Sequence, residues 1–499
     1  MAKYKPGIRD LVHTSFIIFF LVMAALLADR YYLGGQEIPL NLSPEALDRL
    51  ESESVWYGIY LQGSKIGYSN SITTVLDSSI ISTDHTFLSF SMIGSRQEVN
   101  SYSRAVTDTL MRLQSFVFSL TGQDTDYGVR GRVDGNALNV VMNVAGESRG
   151  ERIEIEEPPQ LPSTIQLLLD DELLESGGSY TTTVFDPSSM KNVPLTVQAA
   201  GDTSIQYRGE IVEVRKVLQQ MGGLEIVSFV DSSGNVIVEQ SGMGYRMVLE
   251  DEQSARNGQW SDGDTDIQRL VAVVPDRPVY SARNLRGMTV EITGLGQDTL
   301  LLNGGPQSYS APMLTIDGRG PDEDAPEEEL LPEVLASANA PGHFVLSEHP
   351  RLLELAARIV DISEPAETKI RQILDWLEDN IEIKPTFSIP NTLEVMQRRS
   401  GDCNEFAVMF ASLARAAGVP TRIAMGLVYV DDAFYYHAWC ECYIQRWIGV
   451  DPVFGQFPAD ASHIRFIAGE MDRQVEILPL IGKVGVRIIG SETGLESLR

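Results

Sequence analysis

Three residues near the C-terminus have the types and order that thiol acyl chemistry needs: Cys403, His437 and Asp451. Cys403 sits in Gly401-Asp402-Cys403-Asn404-Glu405, where Asp402 can cap a helix and Glu405, three residues on, can reach back as a capping box. The thiol is thereby placed in the first turn of a helix. The following run, Phe406 to Ala417, is apolar apart from Ser412 and Arg415, so this helix is expected at the centre of its domain, ended by Gly418 with Pro420 just beyond. A cysteine at such an N-terminus feels the positive end of the macrodipole and free backbone NH groups, which lower its thiol pKa from about 8.5 and favour the thiolate. The same NH groups can hold an oxyanion. His437, in Tyr435-Tyr436-His437-Ala438-Trp439, supplies a base, and Asp451 a carboxylate able to accept the Nδ1 proton and orient the ring. Taken singly, Cys403 and His437 read more simply as core residues; their joint order points to chemistry.

The elements that must position them are legible around the motif. Thr421 to Val430 reads as a strand, His437 as lying near the start of a second strand that runs to Ile444, and Arg446 to Val450 as a third that delivers Asp451-Pro452. Period-two alternation puts Trp439, Glu441 and Tyr443 on the His437 face and Cys440 and Cys442 behind it. The two extra thiols therefore read as small core residues, not as a disulfide or, with His437, a zinc site. His85, His343, His349 and His463 have no partner at metal spacing and read as surface or linker residues. No metal or cofactor is expected. Upstream, Pro350 to Val360 and Glu364 to Asn380 read as helices, the second with Ile370, Ile373, Leu374 and Leu377 at helical spacing.

The 499-residue chain is too long for one ordinary core and is expected to be multidomain. A formal charge of -30 excludes nucleic acid as the main partner, because that binding draws on clustered Lys and Arg. With three cysteines, all in the last hundred residues, no disulfide framework is expected. Residues 1–35 read as a cytoplasmic tip and transmembrane helix: Leu11 to Ala28 is apolar except for His13, Thr14 and Ser15, and Lys3, Lys5 and Arg9 precede it. The bulk is then extracytoplasmic, and periplasmic in a Gram-negative cell. A cleaved signal peptide is the rival reading, disfavoured by Leu26 three residues from the cleavage point. Residues 50–255 read as β-rich and antiparallel, with hairpin turns at Gln62-Gly63-Ser64, Asp134-Gly135-Asn136 and Asp231 to Asn235, and a helical interruption at Pro162 to Leu169. Residues 256–317 read as a small β module or an extension of that region, with strands at Val271 to Val274, Met288 to Ile292 and Leu300 to Leu302. Residues 318–335 have the composition of an acidic linker, the best domain boundary, and 340–499 form a further α+β domain.

Four blocks carry a family resemblance: Gly401-x-Cys403-x-Glu405-x-Ala407, Gly418-Val419-Pro420-x-Arg422, His437-Ala438-Trp439-x-Glu441 and Trp447-x-x-x-Asp451-Pro452. In order and spacing, over a core of 352–454, they resemble the transglutaminase-like superfamily. The resemblance implies a papain-like α+β fold, with Cys403 as nucleophile, His437 as base and acid, and Asp451 as the orienting carboxylate. It also implies a thioester intermediate resolved by water, giving peptide or amide hydrolysis, or by an amine, giving cross-linking. Gln397, six residues before Cys403, matches the spacing of the oxyanion glutamine of papain-type proteases; Trp376 is a candidate by residue type alone. Glu441 reads as structural support. Substrates would be peptides or proteins, such as envelope proteins or peptidoglycan peptides. The alternative is a non-catalytic envelope binding or scaffold protein. Trp56-Tyr57-Gly58 to Lys65-Ile66-Gly67-Tyr68 resembles the opening of half-barrel domains of periplasmic proteins, implying a scaffold or ligand-holding surface.

Overall fold

The computed structural model describes residues 53–493 except 62, 77, 93–94, 124, 162–177, 189, 222–223, 233, 242–243, 258–270, 297–299, 321–329 and 387. The apolar segment Leu11 to Ala28, the helix expected at Pro162 to Leu169 and most of the acidic linker lie outside the described residues. Among the described residues, no helix is long and apolar enough to cross a membrane. The chain divides into two compact units at residues 266/267.

The first unit is one fourteen-stranded antiparallel sheet. Almost every strand pairs with its sequence neighbour. The first, Glu53–Leu61, also pairs with the last, Tyr245–Glu250, which leaves Glu147–Glu154 and Ser179–Asp186 as the edges. Alternation drives this: along Leu113–Gly122 the side chains of Phe116, Phe118 and Leu120 are buried while Val117 between them is exposed. At the predicted Asp134-Gly135-Asn136 turn, Gly135 takes φ +59° and Asp134 pairs with Ala137. The sheet curls on itself, since Phe116 meets Phe185 of the edge strand with ring centroids 5.5 Å apart.

In the second unit, strands β1 (Leu285–Thr293), β2 (Gln307–Ser310) and β3 (Met313–Asp317) do not extend the first sheet. They are completed by a strand from the far end of the chain, in the order β2-β3-β1 and then Gly485–Thr493. This pairing is why the division falls before β1 and not in the acidic stretch at 318–335. Val271 to Val274 and Leu300 to Leu302 are not strands; Val273 forms an isolated bridge with Phe434 through two backbone hydrogen bonds of 2.8 Å, and the Leu301 amide donates to the Phe466 carbonyl at 2.7 Å.

Helices α1 (Pro350–Ile359) and α2 (Ala366–Asn380) bury the faces their periodicity predicts, with Ile370, Ile373, Leu374 and Leu377 all inside. After α3 (Thr392–Arg398) comes α4 (Cys403–Ala416), in which even Ser412 and Arg415 are buried. The main sheet is antiparallel: β4 (Thr421–Val430) and β5 (Ala433–Ile444) at its centre, β6 (Arg446–Val450) beside β5, and β7 (His463–Gly469) beside β4. β5 starts four residues earlier than expected, so His437 lies inside the strand and not near its start. Gly426 of β4 is obligatory, because a Cβ there would sit 1.9 Å from the Ile464 carbonyl oxygen; its absence lets β7 close up. The tail beyond Ser462 thus completes both sheets, as β7 in the main one and as β8 (Gly485–Thr493) in the smaller one.

Candidate active site

The start of α4 is built as the residue pattern predicts. Asp402 accepts a hydrogen bond from the Asn404 amide at 3.0 Å, and the Asp402 amide donates to Glu405 Oε2 at 2.9 Å, a complete capping box. Gly401 makes it possible: a Cβ there would lie 2.3 Å from the Glu405 Cβ. Burial first, and then the neighbouring Glu405, push the Asp402 carboxyl well above the usual range. The Cys403 Sγ meets β5 directly, accepting from the Ala438 amide at 3.4 Å. That amide is next in the chain to His437.

His437 is held the opposite way round from the expectation. Its Nε2, not its Nδ1, faces Asp451, 2.8 Å from Oδ2. A carboxylate only accepts, so Nε2 carries the hydrogen and Nδ1, buried and without a hydrogen-bond partner, keeps its lone pair. Nδ1 is therefore the atom able to take a proton. Trp439 stacks on one side of the ring at 6.1 Å and 15°, and Phe454 lies 5.7 Å away. Burial dominates in holding His437 below the ordinary histidine pKa, against the opposing charge of Asp451.

Asp451 is saturated. Its Oδ1 accepts from the Val453 and Phe454 amides at 2.8 and 3.0 Å, and its Oδ2 is shared by His437 and His463. Burial alone would raise its pKa, but the two histidines outweigh it and hold the carboxyl well below the usual range. Cys403, His437 and Asp451 are all 0% exposed, so each is sealed from solvent.

Two further sequence expectations fail here. His463 is neither a surface nor a linker residue: it is buried, with Nε2 2.9 Å from Asp451 Oδ2. Its only trace in the sequence was Asp460 three residues earlier. Gln397 is exposed on α3, while Cys403 is fully buried, so Gln397 does not line the thiol's surroundings. Trp376 is half-buried beneath the Arg399 guanidinium, 5.2 Å from the ring centroid. Gln474, which no pattern singled out, is the buried amide at this end of α4, its Nε2 donating to Asn404 Oδ1 at 3.3 Å.

The supporting residues behave as read. Glu441 is fully buried between Arg422 and Arg465, each within 2.6 Å; burial would raise its carboxyl but the two guanidiniums prevail and lower it. Cys440 and Cys442 are free and point away from His437; Cys440 Sγ lies 3.3 Å from the Ala407 carbonyl of α4, and burial pushes the Cys442 thiol up to about 12. Neither can compete as a nucleophile. His437, Asp451 and His463 bring three potential ligand atoms within 4.8 Å, yet both Nε2 hydrogens are aimed at one carboxylate oxygen, the geometry of a hydrogen-bonded cluster.

Residues 353–452 match the transglutaminase-like superfamily, about a fifth of the chain and the part containing Cys403, His437 and Asp451. Among solved structures, the chain is similar to a protein from Cytophaga hutchinsonii described as a candidate cysteine protease, at 17% identity over 42% of this chain and 86% of that one, with a TM-score of 0.26. No curated protein matches.

Proposed function

We propose that the C-terminal unit is a thiol acyl enzyme of the transglutaminase-like kind, in which Cys403 attacks a peptide or amide carbonyl, His437 moves the proton and Asp451 orients the ring. The observation that carries this reading is the hydrogen bonding of His437: Nε2 committed to Asp451, Nδ1 bare, on the strand whose next amide touches the Cys403 sulfur. Proton transfer from Sγ to Nδ1 leaves a thiolate at the positive end of α4 and an imidazolium paired with Asp451. The thiolate adds to the carbonyl; His437 returns the proton to the departing amine, leaving a thioester. Water, deprotonated by the same nitrogen, then releases the acid. Hydrolysis is the favoured outcome and transfer to an amine the alternative. The substrate class is peptide or protein, with envelope proteins and peptidoglycan peptides as candidates, since Leu11 to Ala28 reads as an anchor that leaves the bulk outside the cytoplasm. The β-rich unit is read as a scaffold or ligand-holding surface.

Incubation of the full chain with a peptide library, with and without a primary amine, tests the reading. Hydrolysis products that fall at least about a hundredfold in Cys403→Ser and His437→Ala are expected. Isopeptide products forming faster than hydrolysis products would make it a cross-linker. Activity should persist in chelator. One observation favours a second reading, a non-catalytic binding or scaffold protein: Cys403, His437 and Asp451 are all 0% exposed. An alkylation rate for Cys403 indifferent to His437→Ala would support that reading instead.

A further inference from the structure

Asp451 serves more than one histidine. His463, at the start of β7, approaches its Oδ2 from the far side of the sheet, with Nε2 at 2.9 Å. The other ring nitrogen of His463, Nδ1, lies 2.9 Å from the Asp460 carbonyl oxygen and 3.5 Å from Asp460 Oδ1. Carbonyl and carboxylate oxygens only accept, so both nitrogens of His463 must carry hydrogens. His463 is therefore an imidazolium, whereas His437, with one nitrogen bonded and one bare, is neutral. Asp460 in turn is paired with Arg283, whose Nη1 is 2.9 Å from Oδ2 and whose guanidinium covers the Phe454 ring at 4.2 Å. From the half-buried Arg283 inward the charges thus alternate in sign through Asp460, His463 and Asp451, the last of which also holds the neutral His437.

We propose that His463 is a positioning residue: a fixed imidazolium that shares Asp451 Oδ2 with His437, immobilises that carboxylate and keeps the Nδ1 of His437 unprotonated until the thiol delivers its proton. The proposal rests on the reading of Cys403, His437 and Asp451 as a reacting set. The charge on His463 has two effects there. It keeps Asp451 ionised, so the carboxylate orients His437 without taking its proton. It also lies near the ring that must become cationic, the two imidazole centroids being 5.9 Å apart, and so makes protonated His437 a stronger acid toward the departing amine. The titratable and charged groups facing His463 are Asp460 on its own segment, Asp451 after β6, His437 on β5 and Arg283 before β1. Burial opposes its protonation, but the two carboxylates prevail and raise it to about 9.

The test is the pH dependence of Cys403 alkylation by iodoacetamide in the full chain, for the unaltered protein, His437→Ala and His463→Gln. Glutamine keeps a donor for Asp451 and removes the charge. The Cys403–His437 pair titrates in two steps, the upper one reporting loss of the last proton the pair shares. In H463Q this upper step should move up by about one unit, because a neighbouring cation has been removed. Should H463Q fail to fold, ring-nitrogen resonances of histidine-labelled unaltered protein decide: both nitrogens of His463 protonated at neutral pH, one nitrogen of His437. An unchanged upper step in folded H463Q, or a neutral His463 ring at neutral pH, overturns the role of His463. Alkylation indifferent to His437→Ala would instead overturn the underlying reading, so the two failures are told apart.

Discussion

The two units solve the burial of polar groups in opposite ways. In the fourteen-stranded sheet the buried polar side chains are mostly neutral ones such as Ser82, Gln97, Ser103 and Ser228; among the described residues Asp186 is fully buried, and Asp84 and Glu239 are partly so. Asp186 is satisfied locally, by the amide and hydroxyl of Ser188 two residues on. The second unit buries Glu441, Asp451, His463 and Arg465, and satisfies them largely through partners on other strands, as Arg465 with Glu441 and His463 with Asp451. A buried charge without a partner costs several kcal/mol, so such groups persist where the surrounding fold holds both partners in place. The first unit pairs nearly every strand with its sequence neighbour; in the second, the smaller sheet joins β1 to β3 with β8 from the far end of the chain, and the main sheet sets β7 beside β4, out of sequence order.

Three perturbations bear on this contrast. The largest is Glu441→Ala, which leaves Arg422 and Arg465 buried without their shared carboxylate. The second unit should lose about 3–5 kcal/mol while the first is unaffected, read as separate transitions in chemical denaturation followed by peptide-resolved hydrogen exchange. A loss under about 1 kcal/mol would show that its buried charges are no more coupled than surface ones.

Next is pH. His463 is raised to about 9 from 6.5, so the stability it contributes is complete below about 6.5 and disappears as pH climbs through 9, on the order of 3 kcal/mol in all. In the first unit, burial raises Asp84 to about 7 from 3.8, against the Ser71 hydrogen bond, and its contribution is lost earlier, between about 4 and 7. Denaturation midpoints of the two units should therefore decline in different pH windows, and a common window would erase the distinction.

The smallest is Gly426→Ala. The added methyl meets the Ile464 carbonyl oxygen on the β7 side, and overpacking of this kind costs about 1–3 kcal/mol. The loss should be accompanied by weaker protection of the β7 amides. Unchanged protection would mean that β7 yields freely and does not hold His463 rigidly.

The local parts of the site were legible in the sequence. The capping box at Asp402, the apolar length of α4, the strand boundaries of β4 and the opposed faces of Glu441 and Cys440 all follow from spacing alone, because each depends on neighbours within a few residues. What was hidden depends on tertiary closure. The ring orientation of His437 is set by how β6 approaches β5, which spacing does not encode. His463 looked isolated because its partner Asp451 is reached only when β7 docks beside β4. Gln397 matched a spacing but sits on the exposed face of α3, a rotation about the helix axis that six residues of separation cannot specify. β1 to β3 read equally as a small module or as an extension of the first β region because their pairing partner, β8, lies almost two hundred residues away.

The complete enclosure of Cys403 has a kinetic meaning. A sulfur with 0% exposure meets nothing from solution until the protein opens locally, so its modification is two consecutive events, breathing and bond formation. At low reagent concentration the observed rate is the product of the open fraction and the intrinsic reactivity, and titration steps in it report the Cys403–His437 pair. At high concentration the rate levels off at the frequency of opening and loses both its concentration dependence and those steps. In the thiol acyl enzyme proposed above, discrimination between substrates would then be exercised at admission as well as at the bond being broken, and a molecule able to prise the second unit open would act as its own key.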